Sequence, residues 1–174
     1  MKFIIETERL ILREILPSDE DGLFKLDSDP EVHRYFGNKP VENKDQVKEV
    51  IQFIRGQYVT NGIGRWAVIE KGSNNFIGWC GLKLHTETVN DHIHFYDLGY
   101  RLIKKHWGKG YGTESAKACL KYGFEQMDLK EIYAMIDTEN EASRKVLQKL
   151  GFKFIEHFDY DGDPSDWLKI TKED

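Results

Sequence analysis

The feature that most constrains the fold is a glycine-rich turn between two patterned runs. Gly108, Gly110 and Gly112 stand at alternate positions, after a β-patterned run (residues 95–103) and before a helix-patterned run (residues 113–127). Glycine lets the backbone approach a ligand and adopt a positive φ. The first amides of a helix lack partners, and its dipole favours an anion there. The pattern predicts a phosphate cradle, although a plain turn has the same sequence signature.

The overall composition limits the class of protein. A length of 174 residues is most simply one domain with a substantial core. The net charge of −5 argues against nucleic acid as a partner and is compatible with a cationic substrate. No apolar run approaches the roughly 20 residues that span a bilayer, so we expect no membrane partner. Residues 1–6 lack the apolar core of a signal peptide, and Cys80 and Cys119 lack metal-type spacing. We therefore expect a cytoplasmic protein.

Hydrophobic periodicity predicts eleven elements in the order β-α-α-β-β-β-α-β-α-β-β. The strands are residues 7–15, 65–70, 76–85, 92–102, 131–138, 152–158 and 166–171, and the helices are 17–26, 43–58, 113–127 and 141–150. A crossover through the helix at 113–127 requires parallel flanking strands, so the sequence predicts an α/β fold with a mixed sheet. Ser18 is the expected cap of the first helix, while Asn140 and Gly151 are the expected N-cap and C′ residues of the last.

Four motifs resemble the GNAT N-acetyltransferase superfamily, and in particular its RimJ/RimL-type branch, which acetylates the N-termini of ribosomal proteins. They are Thr-Glu-Arg-Leu-Ile-Leu-Arg at 7–13, Leu-Gly-Tyr at 98–100, Trp-Gly-Lys-Gly-Tyr-Gly-Thr-Glu at 107–114, and Asn-Glu-Ala-Ser-Arg-Lys-Val-Leu at 140–147 leading to Gly-Phe at 151–152. The glycine motif and the Asn-x-x-Ser element are far more specific together than either is alone. The resemblance extends nearly end to end.

The resemblance implies a GNAT-like fold, with a central mixed, twisted β-sheet of about seven strands and helices on both faces. Splayed parallel strands would form the site of acetyl-CoA, the co-substrate, and no metal is expected. Trp107 occupies the Gln/Arg place of the family's glycine motif. The residues implied in binding the coenzyme are Leu102, Ile103, Lys104, Trp107, Gly108, Lys109, Gly110, Tyr111, Gly112, Thr113 and Asn140.

Acyl transfer to an amine requires a base for the amine and an acid for the leaving thiolate. Many family members supply the acid as a tyrosine, which is Leu147 here, so the resemblance points to Ser143 instead. The candidate base is Asp97, acting directly or through water, with Asp137 a weaker rival. Glu114 in the first helical turn is explained by the helix dipole.

The function that follows is transfer of an acetyl group from acetyl-CoA to a primary amine, either a protein N-terminus or a small molecule, by direct attack. An acyl-CoA-binding sensor or interaction domain without catalysis is an alternative. A zinc-binding regulatory domain that uses His85, His92 and His94 as ligands is a third possible function. The acidic run at 159–163 would either attract a cationic acceptor or serve as a soluble turn. Family members often form homodimers, and the sequence does not decide whether this chain does.

Overall fold

The structure, a computed structural model, describes residues 4–35, 37 and 39–173. The strands are β1 (Ile4–Glu6), β2 (Leu10–Glu14), β3 (Arg65–Glu70), β4 (Asn75–His85), β5 (Phe95–Leu102), β6 (Glu131–Asp137), β7 (Lys153–Tyr160) and β8 (Asp163–Thr171). The helices are α1 (Glu20–Asp27), α2 (Lys44–Asn61), α3 (Tyr111–Glu125) and α4 (Glu141–Leu150). The predicted α/β class is confirmed. The sheet has eight strands rather than about seven, because the short edge strand β1 pairs with β2.

The sheet opens between its two parallel strands. The strand order is β1-β2-β3-β4-β5-β6-β8-β7, and β5 and β6 run parallel on either side of the α3 crossover, as predicted. They pair at Asp97 and Tyr133, whereas β5 continues to Leu102 beyond the last pairing. The end of β5 stays with β4 instead, because the Ile103 amide donates to the Ile77 carbonyl at 2.9 Å. A gap therefore opens between the ends of β5 and β6.

Helices cover both faces of the sheet, as the family resemblance implies. The apolar stripes of α1 and α2 pack with Ala67 and Ile69 on one face. Helices α3 and α4 pack on the other face, where Cys80 and Cys119 are fully buried with their sulfurs 3.6 Å apart. Among the described residues, no helix combines the length and apolar character needed to cross a membrane.

Capping explains where the helices begin and end. The Asn140 side chain accepts from the Ser143 amide at 3.2 Å, and Gly151 takes a φ of 103°, so both predictions for α4 are confirmed. The prediction of Ser18 as a cap is wrong. The N-cap residue is Asp19, which makes no side-chain bond to a helix amide because its carboxylate accepts from the preceding Leu16 amide at 2.8 Å and pairs with Arg13.

Candidate active site

The glycine turn forms a bare backbone surface at the start of α3. Gly110 is the N-cap residue, with a φ of 83° and no side-chain cap, so the helix begins at Tyr111, two residues earlier than predicted. In the described part of the chain, no acceptor is found for the amide hydrogens of residues 108–113. A Cβ on Gly110 would lie 3.3 Å from the Arg9 guanidinium. Unpaired amides at the start of a 15-residue helix are suited to an anion.

A clamp from the connection between β1 and β2 holds this cradle in place. Thr7 Oγ1 and the Arg9 amide donate to Glu114 Oε1 at 2.6 and 2.9 Å. Arg9 Nε bonds Glu114 Oε2 at 2.7 Å, and its NH1 donates to the Lys109 carbonyl at 2.9 Å. Burial alone would raise the pKa of Glu114, but the bonds from Thr7 and Arg9 lower it. Glu114, which the sequence explained by the helix dipole, thus also joins the cradle to the sheet.

A cavity of about 510 Å³, here called the donor cavity, runs from the cradle to the end of β5. The predicted coenzyme residues that line it are Leu102, Trp107, Gly108, Gly110, Tyr111, Gly112, Thr113 and Asn140, together with Ser143. Ile103, Lys104 and Lys109 are not among the lining residues. Ile103 is buried, and the Leu102 carbonyl already accepts from the Trp107 indole at 2.8 Å. The end of β5 is therefore tied within the protein.

Two further cavities continue from the donor cavity. An inner cavity of about 390 Å³ shares Tyr35, Tyr100 and Arg101 with the donor cavity. An outer cavity of about 720 Å³ lies beyond it. The inner and outer cavities share four residues, which we call the neck: Lys83, His85, Tyr160 and Asp161. The three cavities are therefore neighbours, and the neck lies between the inner and the outer cavity.

Ser143 meets a tyrosine at the boundary between the donor and inner cavities. The Tyr100 hydroxyl, on β5, donates to Ser143 Oγ at 3.3 Å. Burial raises the pKa of Tyr100. Leu147 is a core residue, so the tyrosine expected from that helix position is absent, but β5 supplies another one. The sequence did not identify Tyr100 as a functional residue, although it stands in the Leu-Gly-Tyr motif.

Asp97 lines the inner cavity and is held by two partners. Its carboxylate accepts from Arg65 NH2 at 3.0 and 3.2 Å and contacts His85 Nε2 at 3.0 Å. The Arg65 guanidinium lies across Gly99, where a Cβ would come within 2.9 Å of it. Burial alone would raise the pKa of Asp97, but the charge of Arg65 and the bond from His85 lower it. Asp137 lines the same cavity, and its Oδ1 accepts from the Glu139 amide at 2.8 Å.

The three histidines of the zinc alternative do not converge. His85 contacts Asp97, His92 Nδ1 lies 2.6 Å from the Asn90 carbonyl oxygen, and His94 is exposed. Within residues 4–35, 37 and 39–173, no three His, Cys, Asp or Glu side chains are grouped as metal ligands would be. His85 belongs instead to the Asp97 cluster, a role that the sequence did not reveal.

Comparisons with known proteins place these features in a family. A family model described as "Acetyltransferase (GNAT) domain" matches residues 9–153. The chain is 33% identical over 150 residues to the "Uncharacterized N-acetyltransferase YoaA" of Bacillus subtilis, covering 86% of this chain and 82% of that protein. It is 30% identical to the "FsC-acetyl coenzyme A-N(2)-transacetylase" of Aspergillus fumigatus, with coverage of 97% and 79%.

Solved structures share the fold over nearly the whole chain. An acetyltransferase (GNAT family) from Bacillus anthracis superposes with a TM-score of 0.81 at 25% identity, covering 97% of this chain and 98% of that one. The ribosomal-protein-S5-alanine acetyltransferase of Vibrio fischeri gives 0.75 at 19% identity, with coverage of 99% and 98%. The spermidine N-acetyltransferase of Vibrio cholerae, in complex with CoA and spermine, gives 0.74 at 20%, with coverage of 95% and 96%.

Proposed function

The chain belongs to the GNAT acetyltransferase family, and we propose that it transfers the acetyl group of acetyl-CoA to a primary amine by direct attack. The observation that carries this proposal is the meeting of the donor and inner cavities at Tyr100 and Arg101, beside the gap between β5 and β6. A thioester on one side and an amine on the other would react there without a covalent enzyme intermediate. Holding the two reactants together is a large part of the catalytic effect.

The residues of the donor cavity fit the coenzyme. We assign its pyrophosphate to the unpaired amides of residues 108–113, because the bare glycine backbone leaves room for an anion. Trp107, Leu102 and Asn140 would line the pantetheine arm. Ile103 and Lys104 lie outside that lining, so we assign them no direct contact. Bound acetyl-CoA supplies the activated acetyl group, while the protein supplies binding, orientation and proton transfer.

Ser143 and Tyr100 are suited to protonate the leaving thiolate. Because Tyr100 donates to Ser143 Oγ, the serine hydroxyl is free to donate into the donor cavity. Tyr100 then gives its hydroxyl proton to Ser143 Oγ. The pair thus delivers one proton to the thiolate, and the serine oxygen does not stay charged. The ammonium of the acceptor must lose a proton at the opposite end, where Asp97 lies in a cluster with Arg65 and His85.

The acceptor that the cavities favour is a small cationic amine. Three carboxylates, those of Glu87, Asp159 and Asp161, line the outer cavity, against one cationic side chain, Lys83. Opposite charge raises the local concentration of a substrate. The similar enzyme from Vibrio cholerae binds spermine beside CoA, which supports testing polyamines first.

A panel of amines with acetyl-CoA tests the proposed function. Polyamines, aminoglycosides, simple amines and peptides with free N-termini are each mixed with enzyme and acetyl-CoA, and free thiol is measured. We expect thiol release that depends on the acceptor, with an N-acetylated product found by mass spectrometry. Tight acetyl-CoA binding without turnover on any amine would support the sensor alternative instead.

Substitutions at Ser143 and Tyr100 test the acid. We expect Ser143→Ala and Tyr100→Phe each to lower kcat by roughly 100-fold while the KM for acetyl-CoA changes little. Because the two residues act as one unit, the double variant should lose scarcely more than either single variant. Steady-state kinetics of the wild type and the three variants, with both substrates varied, measure these losses. Effects that multiply in the double variant would separate the two residues and contradict a shared proton path.

A further inference from the structure

We propose that His85 is the catalytic base, taking the proton of the acceptor ammonium at Nδ1, and that Asp97 is a positioning residue acting through it. This inference rests on the proposed function. It changes the role of Asp97, which the sequence identified as the base itself. Three observations support it: the position of His85 in the neck, the direction of its hydrogen bond, and the engagement of the Asp97 carboxylate.

The neck is where an incoming amine meets its first buried base. His85 is 8% exposed and lines both the inner and the outer cavity. His85 therefore borders both the space where an ammonium is first attracted and the space next to the donor cavity.

The hydrogen bond to Asp97 fixes the useful tautomer of the ring. Nε2 lies 3.0 Å from Asp97 Oδ1, so a neutral imidazole carries its proton on Nε2 and leaves Nδ1 bare. Nδ1 bonds no residue in the described ranges and is not sealed from solvent. Phe95 stacks on the ring at 4.7 Å with an interplanar angle of 6°, which holds its plane. Nδ1 is thus left without a proton and without a hydrogen-bond partner among the described residues.

Asp97 is poorly suited to be the base itself. Its carboxylate accepts from Arg65 and contacts His85, and it is 4% exposed. The cation of Arg65 stabilises the ionised carboxylate and so weakens it as a proton acceptor. The same carboxylate accepts from His85 Nε2 and so holds the ring in one tautomer and one orientation. Asp97 therefore assists the reaction by orienting His85.

The step balances in protons and electrons. Nδ1 of His85 takes one proton from the ammonium, and the freed nitrogen lone pair attacks the thioester carbon. The C–N bond forms, the nitrogen loses its second proton to water, the C–S bond breaks as the carbonyl re-forms, and the thiolate takes a proton from Ser143 backed by Tyr100. His85 then returns its proton to water in the outer cavity, and water reprotonates the Tyr100–Ser143 pair. The charged or titratable groups around His85 are Asp97 on β5, Arg65 on β3, Lys83 on β4, Glu87 after β4, His92 before β5, and Tyr160 and Asp161 at the β7–β8 turn.

The test compares His85→Gln with wild type across pH, using an amine that the wild-type enzyme acetylates. At pH 7 we expect kcat/KM for the amine to fall roughly 100-fold. The loss should shrink as pH rises towards the pKa of the amine, because each unit brings about tenfold more neutral amine. His94→Asn is the matched control, because this exposed histidine has a φ of 54°, which asparagine adopts readily. The kcat/KM of the His94→Asn variant should equal that of the wild type.

The outcomes separate the two proposals. A wild-type enzyme that acetylates no amine contradicts the proposed function itself. A wild-type enzyme that works, with a His85→Gln variant that is equally active or equally impaired at every pH, overturns the role of His85 alone. If the variant fails to fold, ¹⁵N-histidine NMR of the wild type tests the proposal by measuring the tautomer of His85. The proposal needs a neutral ring protonated at Nε2 in the active pH range, and a ring protonated at Nδ1 throughout that range overturns it.

Discussion

Replacing Gly110 by aspartate should abolish measurable acetyl-CoA binding while leaving the protein folded. The new carboxylate would stand in the cradle of unpaired amides, beside Arg9, where the pyrophosphate is assigned. It would repel the coenzyme and compete for the same hydrogen-bond donors. We expect an affinity loss of at least about 100-fold, or roughly 2.7 kcal/mol. Isothermal titration with acetyl-CoA measures it.

The control for this variant is Gly62→Asp. Gly62 ends α2 with a φ of 73°, close to the 83° of Gly110, and an added Cβ there meets nothing within 4 Å. Both substitutions therefore impose a similar backbone strain, of order 1 kcal/mol. The Tm should fall by a few degrees in both proteins, and only the Gly110 variant should lose the coenzyme. Unchanged affinity in Gly110→Asp would show that the cradle does not hold the pyrophosphate.

The fold was predictable wherever local chemistry defines an element. Helix α4 and strand β3 have the bounds that were predicted, since Asn140 and Gly151 cap the helix and charged residues bound the four apolar residues of the strand. Helix α3 begins at Tyr111, whereas the sequence predicted a start at residue 113. The difference arises because the N-cap residue Gly110 has a positive φ and no side chain that could signal a cap. Strand β1 has three residues at the sheet edge, too few for a periodic signal.

The candidate site was predictable only where one stretch of chain builds it. The glycine cradle and Asn140 follow from local sequence and resemblance. The partners of Asp97 come from β3 and β4, and their contact depends on sheet register, which pairs Lys83 with Asp97 and so brings His85 beside it. The contact between Tyr100 and Ser143 likewise joins residues 43 apart. Such contacts are set by tertiary packing, and no spacing within the sequence signals them.

Asp97→Asn should have the second large effect, lowering both stability and turnover. Removing the charge leaves the Arg65 guanidinium, which is only 14% exposed, without its counter-ion, and breaking a largely buried pair in this way costs about 3–5 kcal/mol. Turnover should fall by roughly 100-fold or more, because His85 loses the group that fixes its tautomer. Denaturant unfolding and steady-state kinetics measure the two losses.

Asp19→Asn separates these two losses. Asp19 is also a buried carboxylate held by an arginine, since its two oxygens bond Arg13 at 2.8 and 2.9 Å, but it lies outside the donor, inner and outer cavities. We expect this variant to be destabilised to a similar degree while kcat per folded molecule is retained. If both variants lost turnover in proportion to stability, Asp97 would have a purely structural role.

The pH dependence of the Asp97→Asn destabilisation has a definite sign. The pKa of Asp97 is lowered in the folded protein, so its ionised form stabilises the fold above the unfolded value of about 3.9. That contribution is lost as pH falls through the lower, folded pKa. The difference in unfolding free energy between wild type and Asp97→Asn should therefore stay constant from about pH 5 to 8 and narrow below about pH 4. A difference that widened in acid would mean that burial outweighs Arg65, and that Asp97 is protonated more easily in the folded protein than in the unfolded chain.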